Sequence, residues 1–160
     1  MSAMTLEWQI LSFAELTREG LYAVLRLRQE VFVVEQNCAY LDLDNLDQQA
    51  THMLGTRDGE LLAYQRCLPP GVSYPESSLG RIVVRPVARG RQLGRVLVRR
   101  GIEHNLLRWP GSGIRINAQA HLQDFYATEG FVAEGNEYLE DNILHRQMRY
   151  KLPKIRSDAT

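Results

Sequence analysis

The sequence predicts a single mixed α/β domain, one mixed β-sheet with helices on its faces. Short β-branched or alternating runs recur along the chain, and longer stretches carry apolar residues at helical spacing. Their order, β-α-β-β-β-α-β-α-β-β, is neither doubly wound nor all-antiparallel. A hairpin-rich first half followed by a β-α-β centre is what a mixed sheet requires. The 160 residues suffice for one real core and are too few for two comfortable ones. Residues 1–160 are therefore expected to form one domain, frayed from about Pro153 onward.

Each element has a local reason. Leu6 to Phe13 reads as a short strand. Leu16 through Glu35 carries Leu21, Val24, Leu25, Val31 and Phe32 at helical spacing, with Arg28 as a break in the apolar stripe. The polar, acidic stretch Gln36 to Gln49 reads as a loop or irregular helix. Thr51–Arg57 and Glu60–Leu68 are two strands joined by Asp58–Gly59, a strong hairpin signal. Pro69, Pro70, Gly71 and Pro75 mark a surface loop. A strand over Leu79–Arg85 leads through a turn into a helix that ends near Arg108, before Pro110–Gly111. Leu93, Val96, Leu97, His104 and Leu107 are expected on its packed face, and Arg91, Arg95 and Arg99 on the other. Ile114–Ala118 is a strand, His121–Thr128 a short helix stopped by Gly130, and Phe131–Glu137 and Ile143–Leu152 the closing strands.

Composition excludes several classes of function. Nineteen Lys and Arg balance nineteen Asp and Glu, so no global charge points to nucleic acid or an anionic membrane. No stretch reaches the roughly 18 apolar residues of a membrane span. The opening MSAMTLEW has neither the basic start nor the apolar run of a signal peptide. Cys38 and Cys67 are too few for a disulfide framework and lack CxxC spacing. Cys67, in an apolar strand, is expected to be an inert core thiol, and the setting a reducing, cytoplasmic one. Four scattered histidines without HExxH or paired Cys/His spacing give no metal site.

The most informative stretch runs from Leu79 to Arg100. A β-branched run, Ile82-Val83-Val84, passes into a glycine-punctuated, arginine-rich turn that opens directly onto a helix. That is a physical recipe for holding a phosphate. Free backbone N–H groups point at the anion, glycine permits close approach, and the helix dipole favours negative charge. Arg89, Arg91 and Arg95 could add guanidinium forks. A dinucleotide fold fails, because GxGxxG after the first strand is missing, and a P-loop fails for want of GK[ST].

The loop Arg89-Gly90-Arg91-Gln92-Leu93-Gly94 resembles the acyl-CoA pyrophosphate loop, [QR]-x-x-G-x-[GA], of the GNAT N-acetyltransferase superfamily. A second segment, Gln119 to Phe131 (QAHLQDFYATEGF), resembles that superfamily's N-x-x-A-x-x-F-Y-x-x-x-G-F signature. The run from Phe32 to Cys38 (FVVEQNC), with Ala118 to Gln123, looks like the ElaA-like branch. The likeness spans roughly residues 6 to 152. It departs at Gln92, where the family prefers glycine, and at Gln119, where asparagine is usual.

The resemblance implies a mostly antiparallel central sheet whose strands around Ile82–Val84 and Ile114–Ala118 splay to hold acyl-CoA. It implies acetyl-CoA or another acyl-CoA as co-substrate, held by Ile82, Val83, Val84, Arg89, Gly90, Arg91, Gln92, Leu93, Gly94, Arg95, Gln119 and Phe125. A backbone N–H near Val83 or Val84 would polarise the thioester carbonyl. An amine then attacks directly, leaving two proton transfers. Tyr126 is the candidate general acid, and Glu35 and His121 are the candidate bases. His52 and Asp47 could line the acceptor side. The acidic run Asp42, Asp44, Asp47 suggests a cationic amine, such as a polyamine or lysine. The expected partner is a small-molecule or peptide amine, with no nucleic acid or membrane, and a homodimer is left open. The alternative is a non-catalytic acyl-CoA sensor.

Overall fold

A computed structural model describes residues 4–152; the expected fraying from Pro153 lies outside them. Strands β1 (Glu7–Ser12), β2 (Thr51–Arg57), β3 (Glu60–Leu68) and β4 (Ser78–Val84) form an antiparallel sheet in chain order. Strands β5 (Arg115–Gln119), β6 (Phe131–Glu140) and β7 (Ile143–Tyr150) form a second sheet with β7 in the middle. The single sheet expected from the element order is thus two, joined by one parallel bridge, Ser77 to Ile114. Beyond that bridge β4 and β5 part, which is the splay the resemblance implied. Two hairpin turns, the expected one and a second between β6 and β7, close through backbone conformation. Asp58 and Gly59 have φ of 50° and 78°, and Asp141 and Asn142 φ of 48° and 66°, the left-handed pairs that close two-residue hairpins. The second hairpin carries β6 on to Glu140, three residues past the expected end.

Helix α2 (Leu93–Arg108) packs against β3 and β4, and α3 (Gln123–Thr128) against β6. The buried face of α2 is Leu93, Leu97, Val98, Gly101, Ile102 and Asn105. Val96 and Leu107, expected inside, are exposed. Gly101 and Asn105 replace them because β3 comes too close for a side chain: a Cβ at Gly101 would lie 2.4 Å from Gln65 Oε1. Asn105 Nδ2 donates to Ser77 Oγ and Ser78 O, both at 3.1 Å, and so ties α2 to the point where the sheets part.

The first helix is shorter than its sequence pattern. α1 (Arg18–Arg28), capped by the Thr17 hydroxyl on Gly20 N–H at 2.9 Å, gives way to a π-helical stretch, Gln29–Glu35. There Gln36 N–H bonds to Val31 O and Cys38 N–H to Val33 O, each five residues back and 3.0 Å away. Arg28, read as a break in the stripe, is fully buried.

Arg28 is buried because the acidic loop folds over it. Its Nε lies 2.9 Å from Asp42 and its Nη1 2.8 Å from Asp47. Arg66 of β3 reaches Asp44 at 2.7 Å and Asp47 at 3.0 Å. Arg81 of β4 reaches Asp42 at 2.7 Å and Asp44 at 3.3 Å. Three arginines and three aspartates neutralise one another, so the acidic run does not stand open to a cationic acceptor. His52 is also sealed, its ring nitrogens 2.7 Å from Tyr64 Oη and 2.8 Å from Asp47 O. Burial lowers its pKa.

Removing one partner of such a network strands a buried charge. Arg28→Leu is expected to cost about 3–5 kcal/mol in urea denaturation. Burial alone would raise the Asp44 carboxyl, but Arg66 outweighs it and holds the pKa at about 2. A folded value below the unfolded one near 4 means that this stabilisation is complete above about pH 4. It should be lost as pH falls through about 2, removing about 2 kcal/mol, with Asp47, also depressed, adding to the fall.

Candidate active site

The turn between β4 and α2 is built from backbone. Gly90 has φ 79° and Gln92 φ 63°, both left-handed. Position 92 explains why the motif prefers glycine: here Gln92 carries the strained conformation, with its side-chain oxygen accepting from Arg95 Nε at 3.2 Å. Backbone pairing in α2 begins only at Val96 N–H, which bonds to Gln92 O at 3.1 Å. The N–H groups of Gln92, Leu93, Gly94 and Arg95 therefore face outward without backbone acceptors among the described residues. Leu93 anchors the turn in the core beside Met53, Ala88 and Leu97, and Gly94 faces open space.

The arginines of the turn are unequal. Arg89 donates to Val84 O at 3.0 Å and forms a two-pronged pair with Glu35 at 2.6 and 2.7 Å. Arg95 is held by Glu129 and Thr128 and lies 5.3 Å over the Phe125 ring. Arg99 reaches the same Glu129 at 2.8 Å. Arg91 is exposed and borders a separate hollow with Met4, Glu7 and Asp58. So Arg95 and Arg99 brace α2 against α3, and of these four arginines only Arg91 has no ion pair among the described residues.

The parted strands frame a cavity of about 480 Å³. Arg81 opens it. With φ 49° it sits in a bulge where β4 slips register against β3, between the pairs Tyr64–Val83 and Arg66–Gly80. Past the bulge, Arg85 N–H bonds to Leu62 O at 2.8 Å. By the two-residue period of a strand Val83 N–H also faces β3, and Val84 N–H faces the opening. Ile82 lines the cavity, whereas the Val83 side chain is buried with Val24, Leu27 and Tyr64.

Across the cavity, β5 turns Asn117 and Gln119 inward while Ile116 and Ala118 are buried. Gln119 Nε2 donates to Gln36 Oε1 at 3.3 Å, bridging to the end of the π-helical stretch. Tyr126 of α3 is 7% exposed, packed edge-on to Phe125 and Phe131, and lines the cavity. Its hydroxyl has no hydrogen-bond partner among the described residues. Burial pushes its pKa up to about 12. His121 stands exposed at the cavity's edge.

Glu35 is not on the cavity wall. The hydrogen bond from Arg89 lowers its pKa, so it suits holding a guanidinium better than taking a proton. Asp42, Asp47 and His52 likewise belong to the interior. The cavity also contains residues that the sequence reading passed over: Asn117, Glu140 and His145. Asn117 could have been found from the alternation of Arg115-Ile116-Asn117-Ala118-Gln119. His145 lies in ILHRQM, where nothing local marks it.

A splayed β4–β5 pair, an anion-ready turn at a helix start and a tyrosine-lined cavity together define an acyl-CoA-dependent transferase fold. A family model for the acetyltransferase (GNAT) domain matches residues 13–152, and the chain belongs to that family of acetyltransferases. Within it the chain falls in the ElaA-like branch. It is 41% identical to the ElaA protein of Escherichia coli over 142 residues, 88% of this chain and 93% of that one. A UPF0039 protein of Synechocystis sp. is 42% identical over 151 residues, covering 94% and 98%. The crystal structure of an acyl-CoA N-acyltransferase from Pseudomonas aeruginosa superposes with TM-score 0.88 at 43% identity, covering 92% of this chain and 100% of that one.

The two left-handed positions should respond in opposite ways. Gly90→Ala should destabilise by about 1–2 kcal/mol, from conformation alone because the site is open. Gln92→Gly should leave stability within about 1 kcal/mol of wild type, relief of strain offsetting glycine's chain entropy. Paired urea denaturation curves check both.

Proposed function

We propose that the protein moves an acetyl or other short acyl group from acyl-CoA to a primary amine by direct attack. The observation that carries this reading is the opening between β4 and β5, with unpaired N–H groups at one end and Tyr126 at the other. Bound acyl-CoA would supply the thioester carbonyl and the thiol leaving group. Gly90 and the N–H groups of Gln92 to Arg95 would hold its diphosphate, where α2's dipole favours negative charge. The free edge of β4 would receive the pantetheine amides as an added strand, with Ile82, Gln119 and Phe125 lining the arm. Val84 N–H, which faces the opening, would donate to the carbonyl oxygen and stabilise the negative charge growing there.

Tyr126 serves as general acid toward the departing thiolate. A phenol with a pKa near 12 holds its proton throughout the neutral range, and Tyr126 lines the cavity with its hydroxyl free of other partners among the described residues. The same burial makes it unsuited to be a resting base. The acceptor is read as a primary amine without a charge requirement, because Asp42, Asp44 and Asp47 are paired internally. Two free cysteines, one of them pushed by burial to a pKa of about 12, fit a reducing compartment such as the cytoplasm.

Acetyl-CoA at about a hundred times its Kd should raise unfolding stability by about 2.7 kcal/mol, readable as a thermal shift. NADH should give none. Tyr126→Phe should keep that shift while CoA release in the presence of amines falls about 10²- to 10⁴-fold. Acetyl-CoA binding with no turnover of any amine would instead identify a sensor. No shift with any thioester would overturn the reading.

A further inference from the structure

The acyl-transfer reading leaves the proton of the attacking ammonium without an acceptor. Glu35 is held by Arg89. His121 is exposed and has no partner to orient its ring among the described residues. On the second sheet, however, Asn117, Glu140 and His145 line the same cavity without an assigned role. Cross-strand register places Gln119 of β5, His145 of β7 and Tyr138 of β6 directly opposite one another. Such residues project from one face of a sheet, and Asn117, two residues before Gln119, shares it.

The cluster is tied partly to the backbone and partly to itself. His145 Nδ1 lies 2.8 Å from Ile143 O. A carbonyl only accepts, so Nδ1 carries the proton, and the neutral ring keeps its lone pair on Nε2. The Tyr138 ring stacks beside it, centroids 6.4 Å apart and planes 24° from parallel. Nε2 lies 3.9 Å from Glu140 Oε2. That carboxylate accepts from Asn117 Nδ2 at 2.7 Å, and the Asn117 oxygen accepts from the Tyr138 hydroxyl. The imidazole is thus fixed in tautomer and in plane, with one nitrogen left for something in the cavity. The other titratable or charged groups on the cavity wall are Asp141, Cys38 (its Sγ donating to Asp141 O at 3.1 Å), Tyr40 (its hydroxyl donating to Asp42 at 3.0 Å), Tyr74, Tyr126, His121 and the Asp44, Arg66 and Arg81 already paired with one another.

We propose that His145 is the general base of the reaction, with Glu140 its positioning residue; the proposal rests on the acyl-transfer reading. Nε2 takes one proton from the acceptor ammonium, and the imidazolium forms beside the Glu140 carboxylate. The freed amine attacks the thioester carbon, a C–N bond forms and the C–S bond breaks. Tyr126 protonates the thiolate and regains a proton from the nitrogen that has become the amide. His145 releases its proton to solvent, so one proton leaves per turnover and no oxidant or reductant is needed.

Two measurements on the full chain test this. Long-range ¹H–¹⁵N spectra of ¹⁵N-labelled protein should show His145 protonated at Nδ1; a ring protonated at Nε2 in its neutral form overturns the proposal. Rates of CoA thiol release from acetyl-CoA, with butylamine and spermidine as probe acceptors, are then compared across pH. In wild type the rate should climb and level once Nε2 is free. His145→Gln should lose about 10²-fold or more and lose the plateau, its rate climbing toward the amine's own ionisation. Acetyl-CoA should still stabilise it. Glu140→Gln should lose less and keep the plateau. A stabilised His145→Gln protein with wild-type rate and plateau overturns the role of His145 alone. Failure of acetyl-CoA to stabilise even the wild type overturns the acyl-transfer reading and this proposal with it.

Discussion

The cluster of Arg28, Arg66 and Arg81 with Asp42, Asp44 and Asp47 governs the architecture. A strand edge left unpaired inside a fold exposes polar backbone groups and tends to close. Here β4 is kept from closing on β5 by its bulge, and the bulge is held by Arg81, whose side chain is tied to the loop that also covers Arg28. The loop is in turn held to β3 through Arg66. One neutral, largely buried ion cluster therefore links the first helix, the acidic loop, β3 and β4, the strand on one side of the opening. Such clusters cost desolvation and contribute geometric specificity more surely than net stability. In this molecule the geometry specified is a gap.

Around that gap the same chemistry appears in a second form, charged pairs that place backbone. Arg95 and Arg99 grip Glu129 at the C-terminal end of α3 and set the helix carrying Tyr126 against the start of α2. Glu35 grips Arg89 and sets the π-helical stretch against the phosphate turn. Gly130 lets these pieces close up, because its φ of 99° and the Tyr150 ring 2.9 Å from a would-be Cβ both exclude a side chain. Arg89, Arg95 and Arg99 are thereby engaged in structural pairs, while the N–H groups at the start of α2 lack backbone acceptors among the described residues.

What could be read from the sequence was what depends on neighbours in the chain. The Asp58–Gly59 hairpin, the strand–turn–helix over Ile82 to Arg108 and the stop at Gly130 all follow from local conformational rules. The interior ion cluster was not, because its members come from positions 28, 42, 44, 47, 66 and 81. Periodicity reads Arg28 as an interruption and the aspartates as a solvent-facing lure. Glu35 lay beside the right elements but faces the wrong neighbour, which only tertiary contact decides. His145 has no local signature at all. Its significance comes from the register of β5, β7 and β6, and from a carbonyl two residues away that settles its tautomer.

The central claim is that the parted strands and the start of α2 form one acyl-CoA site. Amide chemical shifts during an acetyl-CoA titration test it most directly. The largest changes are expected at Val84 and from Gly90 through Arg95, with smaller ones at Gln119 and Tyr126. Changes confined to other surfaces, or none at saturating ligand, would contradict the claim.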